Sequence, residues 1–575
     1  DPIHSLLGHK AGVGTMQPQT TDRPYIIGSV NYFAENLIGG RHEFLLGADY
    51  EDAHYTRQVL WPNHSYIFWN YADSKAPGGR LDWFMFYSDW NLDKQTKRNG
   101  IFFQDTATYG RMTVNLGLRF DFYDWIQNPS TKHPLTPWLP ELGTWATPEP
   151  LKPWIGQTVS SPKASLNDFG INITAFSPRI SLAYDLFGDG KTIAKIAFAH
   201  YGGNLYNANM PELAPGGGMY TLTFPFKDAN GNGWPDAGEF AGWNKVTPPL
   251  IKGYRDSMQD PFFSGNLWNY YNYSSITLTG PPEVSGLSST KFDPDFRPPK
   301  VNEIVVGVER QLSKDIAVAL TGTYKKNYNM LRADSWYKGK DGSVVLPTQD
   351  LYIQYETDPF TNRPIYKTKE VLDRGGAYIT TQKKSYEYVY GLEGRFTKKL
   401  SNRWMLNASF NFNEYKRRWF LEDFPGQFAI DYYDKSSADP SMWGSGNIYP
   451  NPVWLVKING LYQLPLGFTI SALILGNDGY PVRDYVGAYS GYYIPPTDRK
   501  FGDVRLDDYW QVNLGLEKKF HVSEGVSAVL SAQAFNIFNN TKVTLVDMYR
   551  IPQDLGNPQA VTSPAYFELG ARVNF

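Results

Sequence analysis

Strict alternation of apolar and polar side chains, sustained over ten or more residues, constrains this chain more than any other feature of its sequence. From Met112 to Phe122 the even positions are all apolar, whereas the odd positions are Thr, Asn, Gly, Arg and Asp. The same period of two recurs in segments 316–325, 406–413 and 510–517. This period is typical of a β-strand between an apolar and a polar environment. Strands of soluble proteins usually have about 5–6 residues, whereas a tilted strand needs about 9–11 to cross a bilayer. The pattern therefore predicts membrane-spanning strands.

Fifteen such strands are predicted, arranged as seven hairpins and one closing strand. Their ranges are 25–34 and 41–58, 98–107 and 111–124, 176–186 and 191–203, 299–311 and 316–327, 384–398 and 403–416, 452–462 and 467–478, 508–519 and 526–537, and finally 566–575. The turn within each hairpin is short, whereas the connections between hairpins are long: 125–175, 204–298, 328–383, 417–451 and 479–507. Outer-membrane barrels alternate short periplasmic turns with long extracellular loops in this way. Segments 81–90 and 350–370 are predicted to be hairpins within the loops.

The fold class that follows is all-β, a transmembrane antiparallel β-barrel in the bacterial outer membrane. The uniform composition indicates one barrel domain over residues 1–575, with a long extracellular loop at 204–298. Closed single-chain bacterial barrels have even strand numbers. Because fifteen is odd, we expect strands of the complete barrel to lie outside those counted.

Composition and motifs exclude several other classes. No run of 18 apolar residues occurs, so no transmembrane helix is predicted. The chain has no cysteine, which excludes disulfides, thiolate metal sites and cysteine nucleophiles. A net charge of −2 gives no basis for nucleic acid as a partner. Metalloprotease, nucleophile-elbow and P-loop motifs are absent, so we do not expect an enzyme. The remaining enzymatic alternative is a Ser/His pair on the barrel wall, which leaves no sequence spacing.

The chain ends in a strand that alternates to its last residue. Phe567, Leu569, Ala571, Val573 and Phe575 share one face. The strand is similar to the C-terminal signal that the outer-membrane assembly machinery binds. The residues that carry this predicted assembly signal are Glu568, Gly570, Val573 and Phe575. A C-terminal strand that ends in Phe by chance is the alternative interpretation.

Four segments together resemble the barrel of TonB-dependent outer-membrane transporters, in particular their Oar-like subgroup. They are 177–201, 301–329, 390–412 and 567–575, and the resemblance covers most of the chain from about residue 25. It implies a 22-stranded barrel with an N-terminal plug, and therefore about seven strands and the plug upstream of Asp1. It also implies a TonB complex acting through that plug, and outer-membrane lipid, including lipopolysaccharide, as partners.

The function implied by this resemblance is active import of a scarce nutrient, such as a siderophore, an oligosaccharide or a peptide. Charged residues on the polar faces of the strands suit the surface of a plug, or else face lumen water and one another. These residues are Arg119, Asp121, Arg179, Glu309, Glu393, Arg395 and Arg572. Two alternatives stay open. One is a structural or protein-secretion barrel with surface-binding loops, and the other is a soluble, secreted glycan-binding β-protein.

One local motif predicts a calcium site in the 204–298 loop. Residues 228–239 match the calcium-loop pattern D-x-[DN]-x-[DN]-G-x5-E at every defined position. Calcium takes six to eight oxygen ligands. The predicted ligands are Asp228, Asn230, Asn232, the Trp234 carbonyl, Asp236 and a bidentate Glu239. We expect structural Ca²⁺ there, ordering the loop; the alternative is a solvated Asn-Gly turn with adjacent acids.

Aromatic residues are concentrated in two of the long loops. They are Trp125, Trp138, Trp145 and Trp154 in the first, and Trp234, Trp243, Trp268, Tyr270, Tyr271 and Tyr273 in the second. Flat aromatic faces can bind sugars, peptides or aromatic chelators. The favoured interpretation is packing inside the loop layer or at the interfacial belt, so the substrate-binding residues are unknown.

Overall fold

Fifteen long strands dominate a computed structural model of the chain. It describes residues 18–59, 66–71, 81–87, 90–129, 131–132, 159–160, 163–203, 221–226, 291–339, 341–346, 351–357, 364–368, 373–418, 420, 423, 452–482, 485–487, 493–494, 504–546, 549–550 and 558–575. The long strands are β1 (Tyr25–Leu37), β2 (Gly40–Val59), β3 (Trp90–Tyr109), β4 (Met112–Gln127), β5 (Arg179–Asp185), β6 (Thr192–Gly202), β7 (Lys300–Ser313), β8 (Ile316–Tyr328), β9 (Tyr386–Ser401), β10 (Trp404–Arg418), β11 (Trp454–Gln463), β12 (Phe468–Asn477), β13 (Tyr509–Ser523), β14 (Val526–Phe535) and β15 (Tyr566–Asn574). Each corresponds to one strand predicted from the sequence, so the all-β fold class is confirmed and all fifteen predicted strands are present among the described residues.

The strands form one continuous antiparallel sheet in chain order. Each strand from β2 to β14 pairs with the strand before it and the strand after it. Within the described residues, β1 and β15 each pair on one side, and both run from the end with long connections toward the end with short turns. The two edge strands are therefore parallel to each other.

Side-chain exposure is inverted relative to a water-soluble sheet. On β4 the apolar residues Leu116, Leu118 and Phe120 are 44%, 44% and 43% exposed, whereas Asp121 on the opposite face is 4% exposed. Because successive residues of a strand point to opposite faces, the apolar residues line the outside of the wall and the polar residues line the inside. This arrangement is the one that a lipid-embedded barrel requires.

The short turns lie at one end of the sheet and the long connections lie at the other. The β9–β10 turn consists of two residues, Asn402 and Arg403, both with positive φ (51° and 71°). Such two-residue turns match the twist of the flanking strands. By the barrel rule the turns mark the periplasmic end and the long connections the extracellular end.

Further strands, most of them short, lie before β1 and in the long connections. The predicted hairpin at 81–90 is a strand, Leu81–Tyr87, that pairs with Tyr66–Tyr71 and Thr221–Phe226, and the hairpin at 350–370 pairs Tyr352–Thr357 with Pro364–Thr368. The remaining strands outside the fifteen are Gln19–Asp22, Thr131–Lys132, Val159–Ser160, Ala164–Ser165, Ile173–Phe176, Lys291–Phe292, Leu331–Lys338, Val344–Val345, Asp373–Thr381, Tyr485–Gly487, Tyr493–Ile494, Val543–Val546, Tyr549–Arg550 and Pro558–Val561. Two 3₁₀ turns span Leu166–Phe169 and Pro465–Gly467. Over the described residues, no helix is both long enough and apolar enough to cross a membrane.

Candidate functional site

A compact group of charged side chains lies on the inner face of the wall, where β2, β3 and β4 are neighbours. We name this group the lumen charge cluster; it consists of Asp49, Glu51, Arg98, Arg119 and Asp121. In-register pairing of the three strands brings these positions together on one face. The Asp49 side chain is fully buried, and those of Asp121 and Glu51 are 6% and 8% exposed. Buried carboxylates paired with partly buried arginines thus replace the apolar packing that the inside of a small barrel would have.

Arg119 joins two of the carboxylates. Its Nη1 donates to Asp49 Oδ2 at 2.7 Å and its Nη2 to Asp49 Oδ1 at 3.0 Å, while Nε and Nη2 donate to Asp121 Oδ1 at 2.9 and 2.6 Å. A Cβ added at Gly100 would overlap the guanidinium. The glycine therefore gives the flat guanidinium room to lie against the β3 backbone. Bidentate pairing of this kind fixes geometry as well as charge.

Arg98 extends the lumen charge cluster toward the extracellular end. Its Nη2 lies 3.2 Å from Asp49 Oδ1 and 2.9 Å from Glu51 Oε2, and Glu51 is also paired with Arg23. The carboxylates are consequently held between arginines on both sides. Removing one partner of a buried pair leaves an uncompensated charge, which is costly. The cluster is therefore a rigid, polar section of the inner wall.

A small hydrophobic core closes over the extracellular end of β4. Trp125 and Leu166 are completely buried, and Ile173 is 2% exposed. Phe292 and Phe296, from the connection between β6 and β7, pack against the same core. Two different loops are thus anchored to one strand end. For Trp125, the predicted packing inside the loop layer agrees with this position.

Asp293 anchors the same connection to the one that precedes β9. Its Oδ2 accepts a hydrogen bond from Thr380 Oγ1 at 2.6 Å, its Oδ1 accepts one from the Asp295 backbone N–H at 2.9 Å, and the Lys383 Nζ lies 3.5 Å away. Partial burial raises the pKa of this carboxyl, but the hydrogen bonds and the lysine outweigh burial. The pKa of Asp293 therefore lies below its ordinary value.

The predicted calcium ligands and most of the predicted loop aromatics lie outside the described residues. The calcium ligands are Asp228, Asn230, Asn232, Trp234, Asp236 and Glu239. The aromatics are Trp138, Trp145, Trp154, Trp234, Trp243, Trp268, Tyr270, Tyr271 and Tyr273. In the part of the chain that is described, no group of three or more His, Asp or Glu side chains is placed to hold a metal ion. Calcium at 228–239 stays a prediction.

The predicted assembly signal lies on the edge strand β15. Val573 is 58% exposed and Phe575 99% exposed, while β15 pairs with β14 alone among the described strands. Glu568 and Gly570 lie opposite Gln533 and Ser531 of β14. An exposed apolar edge suits pairing with another strand, and the role of these four residues in assembly stays a prediction.

Sequence reasoning named Arg119 and Asp121 but missed Asp49, Glu51 and Arg98. The structure brings all five together, whereas the predicted lumen residue Glu309 pairs separately with Lys195 at 2.8 Å in an exposed setting. The spacing of Asp49 and Glu51, two residues apart on an alternating strand, was the available signal. Their closeness to β4 required the strand register, which the sequence pattern does not contain.

Comparison with known proteins places the wall in a defined family of sequences. Residues 35–478 match the family model described as outer membrane beta barrel domain. None of the curated proteins matches the sequence.

Several solved structures are similar at low identity. The ferric-catecholate import receptor Fiu from E. coli K12 is 12% identical with a TM-score of 0.44, and the match covers 98% of this chain and 62% of that one. The ferric citrate transporter FecA is 9% identical with a TM-score of 0.39, over 96% and 62% of the two chains. The ferric yersiniabactin uptake receptor FyuA from Yersinia pestis is 10% identical with a TM-score of 0.38, over 97% and 61%. The chain spans about three fifths of the length of each of these proteins.

Proposed function

The chain belongs to the family of outer membrane beta-barrel domains, and we propose that it forms the wall and extracellular loops of a TonB-dependent transporter that imports a scarce nutrient. The family places the chain in the bacterial outer membrane, so the alternative of a soluble, secreted glycan-binding protein is wrong. The nutrient class, a siderophore, an oligosaccharide or a peptide, and the coupling to TonB belong to the proposal.

The width of the wall is the observation that carries this proposal. Fifteen strands form one continuous sheet. Barrels of about eight strands are filled by their own side chains, whereas porins with 16–18 strands enclose an aqueous channel. A wall of fifteen or more strands with a polar inner face therefore suits the passage of a solute. Wider barrels of about 22 strands hold a plug in the lumen.

The lumen charge cluster also supports the proposal that a solute passes along a polar inner wall. Buried aspartates and partly exposed arginines on the inner wall are compatible with water or with the polar surface of another domain, and they are incompatible with an apolar filling. In the proposed mechanism the substrate docks among the extracellular loops, and a plug responds to its presence. TonB then pulls the plug and opens a path beside the polar wall.

The test is uptake by cells that lack the protein. We expect a deletion strain to lose the energy-dependent uptake of one labelled nutrient out of a panel of iron chelates, oligosaccharides and peptides. A protonophore or loss of TonB should abolish the same uptake in the parent strain. Complementation with the intact gene should restore it.

Two results would contradict the proposal. Unchanged uptake of every nutrient in the panel, together with a stable protein partner recovered through the loops, would favour a structural or secretion barrel. Uptake that is lost on deletion but insensitive to both the protonophore and TonB would leave a passive channel and remove the energy coupling.

A further inference from the structure

The outward face of β7–β10 is arranged in layers toward its extracellular end. Exposed apolar residues, including Val306, Leu320 and Leu392, form the lower layers. Above them, one cross-strand row places Tyr324 beside Tyr390. Apolar bands of outer-membrane barrels are bordered by aromatic residues at the membrane interface. This tyrosine row therefore marks the upper border of the apolar band.

Four basic residues lie in the next two rows, among tyrosines and one asparagine. One row runs from Asn302 through Lys326 and Tyr388 to Lys416. The other runs from Lys300 through Tyr328 and Tyr386 to Arg418. We name Lys300, Lys326, Lys416 and Arg418 the outward basic patch. Its members have even numbers, like the exposed Val306, Leu320 and Phe410 of the same three strands, so they share the outward face.

The height of the outward basic patch matches the headgroup level of the outer leaflet. Lys326 lies ten residues beyond Ile316, the first residue after the periplasmic turn. At about 3.3 Å per residue and a tilt of about 40°, this corresponds to a rise of about 25 Å. The apolar band of such barrels is about 25 Å tall. The four cations thus lie where the acyl chains end and the charged headgroups begin.

The charge of the patch is mostly uncompensated on this face. Glu414 is the single acid among the twelve residues of the tyrosine row and the two basic rows, and it pairs with Lys416 at 2.7 Å. The Lys326 Nζ lies 4.0 Å from the centre of the Tyr386 ring. A ring face occupies one side of an ammonium group, so N–H donors on its other sides can reach an anion.

Lys398, at the periplasmic end of the same face, is hydrogen-bonded by the protein itself. The Lys398 Nζ donates to the carbonyl oxygens of Lys399 at 2.8 Å and Ser401 at 3.1 Å, and to Ser401 Oγ at 2.6 Å. Its residue is only 4% exposed. The protein itself thus supplies the hydrogen-bond acceptors for this periplasmic lysine. The outward basic patch instead presents several cations side by side in the lipid-facing layer.

We propose that the outward basic patch binds the phosphate groups of the glycolipid, lipopolysaccharide, in the outer leaflet, with the tyrosine row packing against the upper part of its acyl chains. Clusters of basic residues at a membrane surface bind acidic headgroups, at roughly a tenfold gain or less for each lysine or arginine. The proposal concerns the lipid-facing side of the wall and is independent of what passes through the lumen.

The experiment compares two charge-matched variants of the intact protein extracted from outer membranes. The test variant is Lys326→Gln/Lys416→Gln/Arg418→Gln. The control variant, Lys195→Gln/Lys325→Gln/Arg395→Gln, removes two lysines and one arginine from the inner face of neighbouring strands. Both proteins must show the heat-dependent gel migration of a folded barrel before lipid is measured. Bound lipopolysaccharide is then counted by native mass spectrometry after detergent exchange.

We expect the test variant to lose bound lipopolysaccharide about 100-fold more readily than the wild type, and the control to retain it. Wild-type protein should also retain a dephosphorylated lipopolysaccharide as poorly as the test variant retains the native lipid. Equal retention by wild type and test variant would overturn the proposal. Equal retention of the native and dephosphorylated lipids by the wild type would overturn it as well, because the phosphates would then play no part.

Discussion

Arg119 is the residue on which the buried charges of the inner wall depend. It contacts Asp49, whose side chain is fully buried, and Asp121, whose side chain is 6% exposed. Arg119→Met would leave the two carboxylates facing each other with the more distant Arg98 as their remaining arginine. We expect a loss of about 3 kcal/mol in the free energy of unfolding, in the range for breaking a buried ion pair. Denaturant unfolding of the intact protein in detergent, followed by tryptophan fluorescence, measures this loss.

The matched control is Lys195→Met. Lys195 pairs with Glu309 on the same inner face, but the two side chains are 52% and 49% exposed. Solvent screens such a pair, so its loss should cost less than about 1 kcal/mol. Equal losses for the two variants would show that burial of the lumen charge cluster contributes nothing to stability.

Asp293 makes the stability of the connection between β6 and β7 depend on pH. Its pKa lies below the ordinary value of 3.8, so the ionised form is favoured in the folded state. Its contribution to stability is therefore present above pH 3.8 and is lost as the pH falls through the folded-state pKa. The backbone N–H of Asp293 donates a hydrogen bond to the Ile379 carbonyl at 2.8 Å. We expect this amide to exchange faster with deuterium below the folded-state pKa of the Asp293 carboxyl. Asp293→Asn should make exchange insensitive to pH in this window, after correction for the intrinsic rate; an unaltered pH profile would contradict the assignment.

At the scale of single elements, the periplasmic turns place residues other than glycine in a backbone conformation with positive φ. Arg403 has φ 71° in the two-residue β9–β10 turn. A β-branched side chain is strongly disfavoured in this left-handed region, whereas glycine adopts it readily. We expect Arg403→Val to be about 1–2 kcal/mol less stable than Arg403→Gly. The unfolding midpoints of the two variants in detergent provide the measurement, and equal midpoints would mean that the turn adopts another conformation.

Strand identity could be predicted from the alternation, but strand length could not always be. The prediction for β3 begins at residue 98, whereas the strand begins at Trp90. The alternation ends after Leu92, because residues 93–97 are all polar or charged, yet this part of β3 pairs with residues 52–56 of β2. Cross-strand hydrogen bonds, which leave no hydropathy pattern, thus determine the extra length. Asp49, Glu51 and Arg98 of the lumen charge cluster were missed for the same reason, since the cluster depends on register between strands.

At the scale of the whole molecule, the directions of β1 and β15 limit how the wall can close. The two strands are parallel, so direct pairing between them would break the antiparallel order of the barrel. Antiparallel closure needs an odd number of further strands between β1 and β15. The seven strands that the family resemblance implies are such an odd number. An open edge in lipid would leave backbone groups without hydrogen bonds, at a cost of several kcal/mol per group.

Cysteine cross-linking in native membranes tests this closure, and the chain offers a clean background because it has no cysteine. We expect no disulfide between a cysteine at Val30 in β1 and a cysteine at any position from 567 to 571 in β15. The control pair, Ala532→Cys with Leu569→Cys, joins register partners on β14 and β15 and should cross-link efficiently. A cross-link from position 30 would instead indicate a closed wall of fifteen strands.

The strands of the wall range from 7 to 20 residues in length, and this gives the wall an oblique rim. β2 and β3 have 20 residues each, whereas β11 and β12 have 10. At about 3.3 Å per residue and a tilt of about 40°, the long pair rises about 50 Å and the short pair about 25 Å, the height of the apolar band alone. The β2–β3 side of the wall therefore extends farther above the cell surface than the β11–β12 side. Antibodies, phages or toxins arriving from outside would meet the extracellular ends of β2 and β3 before those of β11 and β12.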